Sequence, residues 1–275
     1  MCKIDELNIG NKIIEEYKVL QSCTAVQRIY NISHVTISKY LKKHGIIVIN
    51  RQNEQPGLKK DIFKIIDTEE KAYWLGFLYA DGSIGSSKDP NNYSIDITLK
   101  MFDLNHIEKF KAFIGTSNKV QYRSNLKAYR INVGCKEMYN DLISHGCIPN
   151  KSWLIDKIPD MNEALKIHFV RGFFDGDGCI SYANKRKDDT YNVSINITGN
   201  EKMLKSIVKY FNTNINLTPK QGTEILVARW NAVESTRILK LMYDNASVYL
   251  DRKYERYQCF KKNNFAVRKS DLPKY

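Results

Sequence analysis

Two aspartates, Asp81 and Asp177, close two stretches with the same layout, TEEKAYWLGFLYADGSI (68–84) and EALKIHFVRGFFDGDGCI (163–180). Each stretch reads as a mostly apolar helix with a glycine in its middle, Gly76 or Gly172, and an Asp-Gly at its end. A carboxylate at a helix C-terminus meets the negative end of the macrodipole, at a cost of about 0.3–1 kcal/mol. Two such helices packed along their length would also crowd the two carboxylates together. A divalent cation between them removes both penalties. Hard oxygen donors without a histidine or cysteine cluster suit Mg²⁺, which keeps waters and grips phosphate. Mn²⁺ is expected to substitute, and Ca²⁺ to bind without supporting chemistry. DGDGCIS (175–181) is not an EF-hand loop, because Cys179 and Ile180 fall where that loop needs an acid and a glycine.

The elements that must hold these aspartates are themselves duplicated. YSIDITLK (93–100) and YNVSINIT (191–198) both alternate apolar and polar residues with period 2, as half-buried strands do. Each is followed by a helical run, more strand-like chain, and a lysine. Asp81 precedes Lys151 by 70 residues and Asp177 precedes Lys253 by 76. That spacing predicts two related halves, 68–160 and 161–275. A mid-helix glycine costs about 1 kcal/mol relative to alanine, so a glycine at the same place in both copies predicts close backbone contact between the helices.

Residues 1–50 read as short helices. Ser22 and Ser33 are placed to cap the second and third, and Gly45 ends the third. On that third helix Ile37 and Leu41 face inward, while Thr36, Ser38 and Lys39 face outward with His34 and Lys42. This is the pattern of a helix-turn-helix major-groove reader. Residues 51–67, with Pro56 and Gly57, read as a linker. Lys and Arg total 43 against 30 acids, a net charge of +13, which points to a polyanionic partner and first to nucleic acid. No run of about 18 apolar residues exists to span a membrane. The start MCKIDELNIG lacks the apolar core of a secretory signal. Six scattered cysteines with no CxxC pair argue against a zinc cluster or disulfide framework.

WLGFLYADG (74–82) and VRGFFDGDG (170–178) resemble the two copies of the motif that names the LAGLIDADG homing endonucleases. Over roughly 68–260 the resemblance implies an α+β fold: two pseudo-symmetric αββαββα halves with a saddle-shaped antiparallel sheet. The small all-α helix-turn-helix domain is added at the N-terminus. Trp74, Leu75 and Tyr79 depart from the motif in the first copy and Val170, Arg171 and Phe174 in the second. The family's metal-binding acids match Asp81 and Asp177. Its active-site lysine best matches Lys151 and Lys253, and Lys100 is a candidate for its other polar position, with Thr198 as the rough counterpart.

Strand parity then yields a DNA-facing set. Ser94, Asp96, Thr98 and Lys100 point outward in the first half, continued by Gln121, Arg123, Arg130 and Asn132. In the second half Asn192, Ser194, Asn196 and Thr198 point outward, continued by Arg229 with Lys220, Gln221 and Glu224. Lys185 and Arg186, in the loop 184–189, would grip phosphate. Such side chains read base edges in a major groove. The expected function is a Mg²⁺-dependent, site-specific double-strand DNA endonuclease of intron-homing type. It would act as a monomer on a long asymmetric site, without an obligatory protein partner and without a membrane. An intracellular setting, bacterial or phage-encoded, is expected. The competing readings are a non-catalytic DNA-binding transcription regulator on the same scaffold and an RNA-binding intron maturase.

Overall fold

The computed structural model describes residues 3–48, 57–85, 93–149 and 155–273. The chain divides into two compact units, Met1–Pro56 and Gly57–Tyr275.

The small unit is helical: α1 (Lys3–Glu6), α2 (Gly10–Leu20), α3 (Cys23–Tyr30) and α4 (His34–Lys43). Ser22 caps α3 by accepting from the Ala25 amide at 3.2 Å. Ser33 caps α4 by accepting from the Val35 amide at 3.3 Å. Both satisfy amides that a helix start leaves orphaned. Ile13 and Tyr17 of α2, Val26 of α3, and Ile37 and Leu41 of α4 are buried in one core with Ile4 and Ile32. Lys39 and Lys42 remain exposed, while Thr36 and Ser38 are half-buried.

The large unit repeats one topology twice. Helix α5 (Glu69–Ala80) leads into β1 (Gly82–Ile84), β2 (Ser94–Lys100), α6 (Leu104–Ile114), β3 (Gln121–Arg123), β4 (Ala128–Gly134) and α7 (Lys136–Ser144). Helix α8 (Glu163–Asp177) leads into β5 (Gly178–Lys185), β6 (Tyr191–Gly199), α9 (Glu201–Tyr210), β7 (Thr218–Pro219), β8 (Leu226–Trp230) and α10 (Ala232–Tyr243). The sheets have matching antiparallel orders, β1-β2-β4-β3 and β5-β6-β8-β7. A further helix, α11 (Asp251–Lys262), and a short β9 (Ala266–Val267) beside β6 follow the second half. In β2 and β4, Ile95, Ile97, Leu99, Ile131 and Val133 supply the apolar face, and Val193, Ile195 and Ile197 do so in β6.

Helices α5 and α8 lie at the centre. Every residue of α5 from Ala72 to Tyr79 is buried, as expected of a helix apolar on all sides. A Cβ added to Gly76 would sit 2.0 Å from the Phe169 carbonyl oxygen, and one on Gly172 would sit 1.9 Å from that of Tyr73. The two backbones touch at the paired glycines.

Residues 57–67 correct the linker expectation, since Leu58, Ile62, Phe63 and Ile66 are buried in the large unit's core. Their apolar spacing outweighs the turn signal of Pro56-Gly57. The remaining linker residues, 51–56, lie outside the described residues.

Substituting Gly172→Ala must separate the helices, because the neighbouring atom is backbone. Urea denaturation is expected to register a loss of at least about 1–3 kcal/mol, the usual cost of overpacking. An unchanged midpoint would contradict the close approach.

Candidate active site and nucleic-acid interface

Asp81 follows the last residue of α5, and Asp177 is the last residue of α8. The helices that touch at Gly76 and Gly172 remain close to this end. A Cβ on Gly176 would lie 2.3 Å from Ala80 Cβ and 3.3 Å from Asp81 Cγ. The Asp81 carboxylate therefore sits against the last turn of α8, beside the residue preceding Asp177. Asp81 is exposed and Asp177 half-buried. Thr198 Oγ1 donates to the Asp177 carbonyl at 3.2 Å, occupying one of the acceptors that the helix end leaves over. A cavity of about 140 Å³ opens beside Asp177, lined by Tyr79, Ala80, Phe173, Thr198, Asn200 and Glu224 among others.

This donor set fits a hard divalent cation. Asp81 and Asp177 stand at neighbouring helix ends where Gly176 leaves room, and among the described residues no group of three His, Cys, Asp or Glu side chains is gathered. The protein would thus supply few ligands to a divalent cation and leave the remaining positions to water.

Lys253, in the first turn of α11, is 3% exposed. Its Nζ donates to the carbonyls of Phe174 and, at 2.7 Å, Asp175. It thereby satisfies the end of the helix that bears Asp177. Burial pushes its amine down to about 8, against the opposing pull of Asp175 and Asp81. Lys151 lies outside the described residues. Lys100 is exposed, with Nζ 3.3 Å from the Leu126 carbonyl oxygen to which it donates.

Thr198 is not the counterpart of Lys100. Gly82 pairs with Ile97 and Gly178 with Ile197, so Thr98 matches Thr198 and Lys100 matches Asn200. The β5–β6 hairpin is the longer one, which shifts the visual alignment of the two strand sequences by two residues. Asn200 serves as the α9 cap, accepting from the Met203 amide at 2.9 Å.

The polar face of the first sheet carries cross-strand rows: Ser83, Asp96 and Asn132; Thr98, Arg130 and Gln121; Lys100 and Arg123 flanking Ala128. Asp96 corrects its expectation as a DNA-facing side chain. It is 8% exposed and is held by Arg130, whose guanidinium covers it. Ser94, Asn132, Arg123 and Arg130 are half-buried, and Gln121 and Thr98 exposed. In the second sheet Asn196 aligns with Cys179 and Arg229, which settles the phase of β8 with Arg229 exposed on the polar face. Asn192 and Thr198 are half-buried on that face. Ser194 is also a correction. It is buried, and its hydroxyl donates to the Trp230 carbonyl at 3.3 Å. Lys220, Gln221 and Glu224 lie in the β7–β8 turn rather than on a strand. Lys185 and Arg186 are exposed at the far end of the β5–β6 hairpin, where Lys185 pairs with Asp189 at 2.6 Å.

Two buried charges of α8 have no role legible in the sequence. Asp175, fully buried, accepts from Tyr73 Oη and the Leu250 amide at 2.7 Å each, and from Tyr243 Oη. Only its place two residues before Asp177 hinted at it. Arg171 donates to the carbonyls of Val248 (3.0 Å) and Met242 (2.9 Å) and to Glu69 (2.6 Å). It pins the α10–α11 connection to the start of α5, which accounts for an arginine inside an otherwise apolar motif.

Paired motif helices, each leading into an antiparallel sheet and meeting through glycines beside two terminal aspartates, give the single-chain, two-motif form of the LAGLIDADG fold. Residues 170–264, most of the second half, match the family model described as LAGLIDADG endonuclease. The fold is that of solved single-chain meganucleases. I-SmaMI, determined bound to an uncleaveable DNA, shares 14% identity with a TM-score of 0.50, over 71% of this chain and 90% of that one. I-LtrWI, a LAGLIDADG homing endonuclease bound to target DNA, shares 15% identity with a TM-score of 0.50, over 74% and 90%. No curated protein matches the chain. Among the described residues no helix is long and apolar enough to cross a membrane.

The Lys253 amine carries a pH signature. Folding lowers its affinity for a proton, so the cost of burying the charged form is present in full below pH 8. Between about pH 8 and 10.5 the folded chain has shed a proton that the unfolded chain keeps, and stability rises with pH. The stability difference between wild type and Lys253→Met, measured by urea denaturation, is expected to shift in favour of wild type across that window and stay level below it. A difference independent of pH would refute this assignment.

Proposed function

We propose that this protein is a site-specific, Mg²⁺-dependent double-strand DNA endonuclease of the homing type. The observation that carries the reading is the convergence of Asp81 and Asp177 at the ends of two touching helices, each of which leads into a sheet with a polar outer face. Cations bound there would activate water and stabilise the leaving oxygen of an in-line displacement. Asp81 and Asp177 would hold the cations, one carboxylate from each half, so that a scissile phosphate on each strand is served. Thr98, Gln121, Arg130 and Asn132 in one sheet, and Asn192, Asn196 and Arg229 in the other, would read base edges. Lys100, Arg123, Lys185 and Arg186 would engage phosphates. Lys151 and Lys253 are the lysines proposed to stand by the two sites, Lys253 by fixing the end of α8. Facing sites across a minor groove about 6 Å wide would cut both strands with a short stagger.

The small unit is proposed as a second DNA-binding module. Its helix-turn-helix order, with α4 capped by Ser33 and presenting Lys39 and Lys42, suits insertion into a major groove. A single chain with diverged halves suits a long asymmetric site bound by a monomer.

The test is selection on randomised and AT-rich duplexes, captured in Ca²⁺ and then moved to Mg²⁺, with sequencing of the cut ends. Wild type is expected to give discrete Mg²⁺-dependent ends. Asp81→Asn and Asp177→Asn should bind the selected site with similar affinity but cut it at most to a nick. Full double-strand cutting by either variant would remove the aspartates from the active site, and capture without any cutting by wild type would favour a DNA-binding regulator.

Deleting residues 1–50 is expected to weaken affinity and flatten its salt dependence by about 0.9 in log–log slope for each phosphate that the shortened chain no longer neutralises. Fluorescence anisotropy across a salt series measures this, and an unchanged slope would take the module off the DNA.

A further inference from the structure

The two halves differ most sharply at one motif position. Aligning Asp81 with Asp177 sets Tyr79 opposite Asp175 and Tyr73 opposite Phe169. In the second half this position is a buried carboxylate that gathers three donors from three places: Tyr73 of α5, Tyr243 of α10 and the Leu250 amide that opens α11. In the first half it is a neutral ring. Tyr79 packs edge-on against Phe169 at 5.0 Å and donates its hydroxyl to the His145 carbonyl.

We propose that Asp175 is a positioning residue that fixes α11, and with it Lys253, against the end of α8, and that its absence from the first half makes the two strand cuts unequal. This rests on the nuclease reading above for the strand cuts and on geometry alone for Lys253.

Residue 175 holds α11 by two different groups. Its carboxylate takes the Leu250 amide, and its carbonyl takes the Lys253 Nζ at 2.7 Å. The adjacent Arg252 adds a third anchor, donating to both Asp103 carboxylate oxygens at 3.1 Å. The hydrogen-bond requirements are directional. All three partners of the Asp175 carboxylate are donors, and an amide in its place would turn one acceptor into a donor facing a donor. Leaving such buried groups unmatched releases the segment that depends on them. Among the described residues the first half's helix end is tied through a single neutral donor at this position, the Tyr79 hydroxyl on the His145 carbonyl where α7 ends.

The experiment uses the full chain with two variants, Asp175→Asn, which removes the all-acceptor hub, and Tyr243→Phe, which keeps the carboxylate and removes one donor. Lysine acylation by an amine-reactive acetate ester, read by peptide mass spectrometry, reports the position of Lys253 whether or not the protein cuts DNA. Wild type should protect Lys253 relative to its exposed lysines. Asp175→Asn should acylate it at least about tenfold faster, and Tyr243→Phe should shift it less in the same direction, the scale expected when a buried hydrogen bond is broken. Folded Asp175→Asn protein whose Lys253 stays as protected as in wild type would overturn the proposal. If Asp175→Asn fails to fold, unchanged protection in Tyr243→Phe would do the same.

On a cognate duplex labelled on each strand in turn, Asp175→Asn should slow one strand on the order of 10–100-fold more than the other, as a displaced active-site group does. A nicked intermediate on that same strand should accumulate. Equal slowing of both strands would overturn the claimed asymmetry. A wild type that binds but never cuts would refute the nuclease reading instead, leaving the acylation result to decide the role of Asp175.

Discussion

The contact between the α5 and α8 backbones at Gly76 and Gly172 is the constraint from which the rest of the large unit follows. Without side chains at those positions the carbonyls of Phe169 and Tyr73 come within reach of the opposite helix. Helices that pack on ordinary side chains stand about 8–10 Å apart at their axes. A closer crossing brings their C-terminal ends together, and that puts the Asp81 side chain beside Gly176. Each helix runs directly into the first strand of its own sheet, so the same contact sets where both sheets begin. One packing event therefore fixes the acids and the surfaces that flank them.

Around that end the protein buries more charge than a simple core would tolerate. Asp175, Lys253, Arg171 and Asp103 are all nearly inaccessible. Burying one ion without a partner costs several kcal/mol, and removing one partner of a buried pair is strongly destabilising. Each of the four has named partners, and those partners lie on other elements: Arg171 on the α10–α11 connection and Glu69, Asp103 on Arg252, Lys253 on the end of α8. His106 belongs to the same arrangement. Its Nε2 lies 3.1 Å from Tyr73 Oη, whose proton goes to Asp175, so the imidazole donates from Nε2. Burial pushes it down to about 3, and it is neutral at ordinary pH. Directional bonds of this kind specify a single arrangement of α11, which apolar packing alone would define less sharply.

What could be read from the sequence was whatever local periodicity encodes. The paired glycines, the terminal aspartates, the alternation of β2 and β6 and the caps at Ser22 and Ser33 are all properties of neighbours along the chain. What could not be read depends on pairing across the chain. The true match of Thr98 with Thr198 is set by the ladder register and by a longer second hairpin, which no strand sequence reveals. Ser194 has the parity of a surface residue, yet its hydroxyl finds the Trp230 carbonyl and it is covered. Asp96 has the same parity and is taken by Arg130 on the next strand. Residues 57–67 looked like a linker because Pro56-Gly57 is a strong turn signal, while the four apolar side chains that anchor them show their purpose only against the folded core. Arg171 seemed foreign to its helix for the same reason, since its backbone acceptors lie more than 70 residues away.

The difference between Tyr79 and Asp175 is one that a single chain permits and a symmetric dimer does not. In an isologous interface a contact between residues i and j is made twice, identically. Two copies of the second half would place two buried carboxylates near one another across the crossing, each needing its own tyrosine donors from the other helix. Two copies of the first half would set Tyr79 against Tyr73 twice and leave no carboxylate to anchor the segment that follows the sheet. The chain holds one of each, with Tyr73 of the first helix serving Asp175 and Phe169 of the second packing on Tyr79. Joining the halves therefore relieves like-charge crowding beside the two aspartates while retaining one polar hub to anchor α11. The interface is complementary rather than self-complementary, and the two ends of the helix pair are free to differ in how firmly they hold the groups around them.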